Sequence, residues 1–217
     1  MMVKTETASQ IAEYLLQIKA IKLQPTEPFT WASGWKSPIY CDNRISLSYP
    51  DIRTFIRNAL ADSILKNFSK VEVIAGVATA AIPQGALVAD KMNLSFIYVR
   101  SSAKDHGREN LIEGEIKAGQ KVVLIEDLVS TGKSSLKAVE ALRQAGCDVL
   151  GLICVFNYGF VQAENNFSSA KCPIISLCNY DKLLNIAVES NYIKKEELNT
   201  LEDWRKAPEV WGQALSK

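Results

Sequence analysis

The sequence has a single histidine, His106, no closely spaced cysteine pair and almost no net charge. One histidine and five scattered cysteines, Cys41, Cys147, Cys154, Cys172 and Cys178, form no cluster with metal-ligand spacing, so no zinc centre is expected. The odd cysteine count, with no basic-then-apolar leader at the N-terminus, points to reduced thiols in the cytoplasm. Lys plus Arg number 25 against 24 Asp plus Glu, a net charge of +1, so a general nucleic-acid coat is not expected and any anionic ligand must be gripped by local clustering. Long apolar runs are missing too. Residues 73–82 and 149–156 are too short to span a bilayer and Pro83 closes the first, so no membrane segment is expected. What remains, 47% apolar and 23% charged residues in a chain of 217, is the balance of a soluble globular protein with apolar side chains enough for one domain's core.

Within residues 5–22, Ile11, Leu15 and Ile18 recur at helical spacing with Ala12 and Leu16 beside them, which predicts an amphipathic helix. Pro25 and Pro28 end it, and residues 29–42 mix β-favouring side chains with Gly34 and Pro38, predicting short strands around a turn. Pro50 suits a first helical turn, and Ile52, Ile56, Leu60 and Ile64 then recur every four residues, predicting a second helix. Short apolar runs follow at residues 71–77, 96–99, 122–125, 149–156 and 174–177, with helical segments at 83–92, 134–145 and 162–169 between most of them. Strand alternating with helix predicts an α/β fold with a largely parallel central sheet flanked by helices, in which ligands sit beyond the carboxyl ends of the strands. Residues 100–119 break the pattern: they are polar, glycine-bearing and aperiodic, as a lid or binding loop would be. Residues 194–217, with Trp204 and Trp211, read as helices packed on the domain.

The strongest chemical signal is Val122-Val-Leu-Ile-Glu-Asp-Leu-Val-Ser-Thr-Gly-Lys-Ser134. An apolar strand ends in adjacent carboxylates, Glu126 and Asp127, and passes through a Ser-Thr-Gly turn into a helix. The amides of that turn and of the helix N-terminus form a phosphate cradle, to which Ser130, Thr131 and Ser134 add hydroxyls, while Gly132 lets the backbone close in. Gly132-Lys133-Ser134 matches the end of a P-loop, but Asp127 stands where that motif needs glycine, so the P-loop reading fails. Carboxylates just ahead of a phosphate cradle suit a ribose 5-phosphate: acceptors for the vicinal hydroxyls, amides for the phosphate.

This segment resembles the motif with which type I phosphoribosyltransferases bind 5-phosphoribosyl 1-pyrophosphate (PRPP). Phe29-Thr-Trp-Ala-Ser-Gly-Trp-Lys-Ser-Pro-Ile-Tyr-Cys-Asp-Asn-Arg44 resembles the N-terminal signature of the orotate phosphoribosyltransferase family, and Arg100-Ser-Ser-Ala-Lys-Asp-His-Gly107 its mobile catalytic loop. The likeness runs from about residue 29 to residue 180. It implies a single domain over residues 1–217, with a small N-terminal hood in 1–48, the mobile loop at 100–119 and C-terminal helices in 194–217. It implies PRPP and orotate as substrates, Mg²⁺ carried mainly by PRPP, and a homodimer whose loops reach into each other's sites, without nucleic acid or membrane.

The resemblance assigns Arg100, Lys104, His106 and Asp127 to catalysis. PRPP is expected on Glu126, Asp127, Leu128, Val129, Ser130, Thr131, Gly132, Lys133 and Ser134, with Thr79 and Ala80 in the turn that meets the pyrophosphate. Orotate is expected against Ser130, Lys36 and Tyr40. The loop also makes sense without the family, because Arg100, Lys104 and His106 can close over a polyanionic leaving group and stabilise the charge it gains. The acidic residues Glu109, Glu113 and Glu115 are expected to solvate it. Glu126 stands where many relatives have Asp, Ser101 and Ser102 where many carry an extra Lys, and Ala32 and the run 155–159 where some have a Lys and an Arg near orotate. Base recognition is therefore expected to lean on backbone amides and Ser130. Two other readings share the PRPP motif: a sister enzyme for a purine or uracil, and a non-catalytic PRPP-sensing regulator. The signature at 29–44 argues against the first; the 104–107 loop and the lack of a basic DNA-binding segment argue against the second.

Overall fold

The computed structural model describes residues 5–31, 34–102 and 111–212. Helix α1 (Thr5–Gln17) buries Ala8, Ile11, Ala12, Leu15 and Leu16 along one stripe. It stops short of the predicted end at residue 22, because Lys19 takes a left-handed conformation (φ 56°) and residues 21–23 turn to strand. That strand, β1 (Ile21–Leu23), buries alternate side chains and appears later as the antiparallel partner of Ile39–Cys41. Two-residue strands β2 (Phe29–Thr30) and β3 (Lys36–Ser37) form a hairpin next to it, with Gly34 at φ 84° in the connection, and β4 (Ile39–Cys41) completes the hood. A 3₁₀ turn over Asn43–Ser48 leads to α2 (Pro50–Asn67), with Pro50 in the first helical turn.

The sheet is built from β5 (Val73–Val77), β6 (Ser95–Val99), β7 (Ile112–Glu113), β8 (Lys121–Val129), β9 (Asp148–Asn157) and β10 (Ile174–Asn179). Crossover helices α3 (Ile82–Met92), α4 (Lys133–Gln144) and α5 (Val161–Ser169) connect them, and α6 (Tyr180–Glu189) and α7 (Leu198–Lys206) follow. Strand order is β10-β9-β8-β5-β6-β7, parallel throughout except for β7, which runs antiparallel to β6. The α/β class with a largely parallel sheet is thus as expected. The segment 100–119 is not wholly irregular, since Ile112 and Glu113 return as β7. Lys104 and His106 lie outside the described residues, as do the other loop residues from 103 to 110.

Each central strand is apolar on both faces because each face has its own helix layer. Val123 and Ile125 of β8 face the cluster built with α1, α2, α3, α6 and α7, while Val122 and Leu124 face α4 and α5. This alternation explains the unbroken run Val122-Val-Leu-Ile125. β8 then extends four residues past the predicted end, pairing Glu126 with Cys154 and Leu128 with Phe156 of β9. The acidic pair therefore belongs to the strand itself. Helix α6 was not anticipated from the apolar pattern, although the Asn179 side chain caps it by accepting from the Lys182 amide. All five cysteines are free thiols, and among the described residues no helix is long and apolar enough to cross a membrane.

Candidate active site

Parallel pairing of β5, β6 and β8 puts the ends of those strands on one rim, where Thr79, Arg100, Glu126 and Asp127 all follow or finish a strand. Glu126 is 4% exposed and held from two sides: Ser135 Oγ donates to its Oε2 at 2.9 Å and the Asp127 amide to its Oε1 at 3.1 Å. Burial, with the Asp127 charge beside it, pushes the Glu126 carboxyl up to about 9, and burial raises Asp127 as well. The pair thus resists carrying two bare charges. Asn43, in the turn after the hood, donates from Nδ2 to the Asp127 carbonyl at 2.7 Å and ties hood to strand. Asp42 stays out of the pair, because Arg44 binds it at 2.6 Å and holds its carboxyl below the usual range.

Past Val129, Ser130 and Thr131 turn the chain into α4, and Gly132 makes the turn at φ 76°. A Cβ there would stand 2.6 Å from Phe167 Cε2, so both the dihedral and the packing require glycine. Asn166 Nδ2 donates to the Thr131 carbonyl at 2.9 Å and the Tyr158 amide to the Val129 carbonyl at 3.1 Å, fixing the turn from outside. Lys133 and Ser134 open α4, exposed, in the first turn, where amides have no acceptor within the helix. Those free amides could take an anion, and they lie where the sequence places the phosphate cradle.

The Thr79–Ala80 turn leaves β5 and leads into α3, with Thr79 exposed and a cis peptide bond between Ala78 and Thr79. Gly76 lets the strand end pass beneath the turn, since a Cβ there would meet the Ala81 carbonyl oxygen at 3.0 Å. Arg100 follows β6; its guanidinium meets Glu113 at 3.5 Å. This corrects the expectation that Glu113 only solvates the loop: β7 brings it back beside the root of that loop, where it partners Arg100. Lys137 of α4 donates to the Ser101 carbonyl at 2.7 Å and anchors the same root.

Between hood and sheet lies a cavity of about 270 Å³ lined by Thr30, Trp31, Tyr40, Cys41, Leu128, Ser130 and Tyr158. It unites Tyr40 and Ser130, as expected of a base subsite. Lys36 does not line it but donates from Nζ to Thr30 Oγ1 at 2.9 Å, one residue removed from the wall. Trp31 is a wall as well as part of the core, and Tyr158 falls in the 155–159 run where some relatives carry a basic residue. Ser135, Asn43 and Tyr158 escaped the sequence reading as site residues; only Asn43 stood inside a quoted motif. Among the described residues, no three His, Cys, Asp or Glu side chains gather to hold a metal ion. The carboxylates on the rim, Glu126 and Asp127, are hard oxygen donors too few to cage a cation, which fits an ion carried mainly by a ligand's own oxygens.

Residues 48–176 match the phosphoribosyl transferase domain family. The orotate phosphoribosyltransferase of Bacteroides thetaiotaomicron is 60% identical over 200 residues, covering 92% of this chain and 94% of that protein. That of Porphyromonas gingivalis is 58% identical over 202 residues, 93% of this chain and 96% of that one. The chain belongs to the orotate phosphoribosyltransferase family. Family membership accounts for the rim, since the matched residues include both carboxylates, the phosphate turn and the Thr79–Ala80 turn. Among solved structures, Leishmania donovani UMP synthase superposes with a TM-score of 0.76 at 28% identity; the match covers 91% of this chain and 42% of that one. Aeropyrum pernix orotate phosphoribosyltransferase superposes at 0.73, with 24% identity over 85% of this chain and 99% of that one. The second likeness speaks for the fold.

Proposed function

We infer that the protein transfers the ribosyl 5-phosphate of PRPP to N1 of orotate, giving orotidine 5′-monophosphate and pyrophosphate, in pyrimidine synthesis. The observation that carries this reading is the acidic pair of buried Glu126 and half-buried Asp127, on the strand that leads into the α4 turn and beside a cavity of about 270 Å³. That volume lies just below the usual range for small-molecule pockets and has room for a nucleobase. High identity to named orotate phosphoribosyltransferases favours the enzyme over a regulator that only senses PRPP.

In this mechanism the 5-phosphate rests on the amides at the start of α4 and on Thr131 and Ser134, and the ribose hydroxyls on Glu126 and Asp127. Orotate lies in the cavity against Tyr40, Tyr158 and Ser130. The C1′–oxygen bond to pyrophosphate breaks, its electron pair leaving with pyrophosphate, and N1 of orotate forms the new C1′–N1 bond as its N–H proton passes to the departing pyrophosphate or to water. The ribose ring passes through an oxocarbenium-like state, whose positive charge the neighbouring carboxylates favour. Thr79, Ala80 and Arg100, with Lys104 and His106 of the loop, receive the charge that develops on the leaving group. Glu126 and Asp127 would help hold a Mg²⁺ ion brought in by PRPP, which when bound would supply neutralising positive charge. Five free thiols support a cytoplasmic location, and the resemblance of residues 100–107 to the family's mobile loop supports a homodimer as the working unit.

The test is to mix the purified protein with PRPP, Mg²⁺ and either orotate, uracil or hypoxanthine, and to follow base consumption. Consumption of orotate alone is expected. Consumption of another base would discard the substrate, and PRPP binding without turnover would favour the regulator.

A further inference from the structure

Two parts of the chain fall outside the matched domain at 48–176, the hood before it and α7 after it, and they meet behind the base cavity. The ring of Trp204 in α7 stands edge-on to Trp31 of the hood, 5.6 Å between centroids at 79°, and edge-on to Tyr158, 5.6 Å at 72°. Trp31 and Tyr158 are walls of the cavity; Trp204 is not, and is wholly buried behind them. Phe160 and Tyr180 pack on its remaining sides. Among the described residues its Nε1 has no hydrogen-bond partner, so Trp204 acts here through ring area and edge contacts. Within the hood Trp31 is tied at its indole edge, Nε1 donating to the Ile39 carbonyl at 3.1 Å, and by a hairpin whose strands are two residues each; Trp204 supplies the ring contact from the opposite side.

The PRPP side of the site is anchored elsewhere. Glu126 is held by Ser135, Asp127 by Asn43 and the phosphate turn by Asn166. The two subsites thus have separate side-chain supports and share Tyr158, whose backbone amide, not its ring, holds the Val129 carbonyl.

We propose that Trp204 is a positioning residue for the base subsite: through Trp31 and Tyr158 it sets the spacing of two cavity walls, and so governs the grip on orotate without governing the grip on PRPP. This rests on the reading that the cavity takes orotate. A residue from the C-terminal helix then tunes base binding from behind the wall, which the family domain alone would not do.

The test uses the full chain with Trp204→Leu, which keeps apolar bulk but removes the ring, and Trp204→Phe, which keeps a ring. Trp204→Leu should raise KM for orotate about tenfold while KM for PRPP stays within about twofold, and Trp204→Phe should recover most of the loss. Equal rises in both KM values, or a lower melting temperature with neither KM moved, would overturn the proposal. Should the leucine variant fail to fold, the phenylalanine variant decides. A rise of about threefold in orotate KM with PRPP unmoved supports the assignment and no rise overturns it. Wild-type protein that fails to consume orotate would overturn the functional reading and this inference together, whereas wild-type turnover with unmoved KM values in both variants would count against Trp204 alone.

Discussion

Ser135 donates a 2.9 Å hydrogen bond from Oγ to Oε2 of Glu126, so the first buried residue of α4 holds the first residue of the acidic pair. The helix that offers its N-terminal amides to a phosphate therefore also fixes the carboxyl that meets the sugar. Ser135→Ala removes the donor from a buried acceptor, which costs about 1–3 kcal/mol. The expected result is a rise of five- to tenfold in KM for PRPP, on the order of one lost hydrogen bond, with KM for orotate little changed. Steady-state kinetics with each substrate varied in turn measure it.

Glu126 also sets a pH dependence for the free protein. Its carboxyl is raised from 4.5 to about 9 by burial first and by the Asp127 charge second. Below pH 4.5 the folded and unfolded chains both hold the proton; between 4.5 and about 9 the unfolded chain releases it and the folded one keeps it, so stability falls as pH rises. Glu126→Gln has no proton to lose. Its melting temperature should exceed that of the wild type by a margin that widens from pH 5 to pH 8, roughly the window those values span, while PRPP binding is lost. Thermal unfolding across that range checks it, and a constant or shrinking margin would contradict it.

Gly132 combines φ 76° with a Cβ position 2.6 Å from Phe167 Cε2. Gly132→Ala should destabilise by about 2–4 kcal/mol, from left-handed strain plus overpacking, and should weaken PRPP binding because the phosphate turn must shift. Adding Phe167→Leu should recover the packing part only. Thermal melts of single and double variants separate the two contributions.

In the proposed mechanism Lys104 helps meet the charge on the leaving group, which develops as the bond breaks. Lys104→Ala should therefore lower kcat at least tenfold, roughly the loss of one charged contact, with a smaller change in KM for PRPP. An unchanged kcat would remove Lys104 from that role.

Much of this was legible from sequence where the deciding contacts are local. The run Val122–Ile125 announced a strand buried on both faces, and the succession of Glu126, Asp127 and the turn 130–134 announced a strand end passing into a helix start, because these residues are consecutive. Partners brought by the fold were not legible. Asn43 reaches Asp127 across 84 positions, and Tyr158 meets Tyr40 and Ser130 only because β9 lies beside β8 and the hood folds over both. The end of α1 was misjudged for the same reason: Ile18 and Ile21 continue a helical pattern, and pairing with Ile39–Cys41 claims residues 21–23 as strand. The bond from Lys36 to Thr30 was not legible either, since it depends on how a hairpin this short aims a lysine at its own neighbour.

The most direct test of the account is Asp127→Asn assayed for PRPP-dependent consumption of orotate. The substitution keeps size and the backbone carbonyl that Asn43 holds, and removes one carboxylate beside the sugar. The account predicts a fall in kcat/KM for PRPP of about a hundredfold or more, the scale of losing one preorganised charge, with the melting temperature preserved or raised. Activity within about threefold of the wild type would contradict it and would take the acidic pair out of the chemistry.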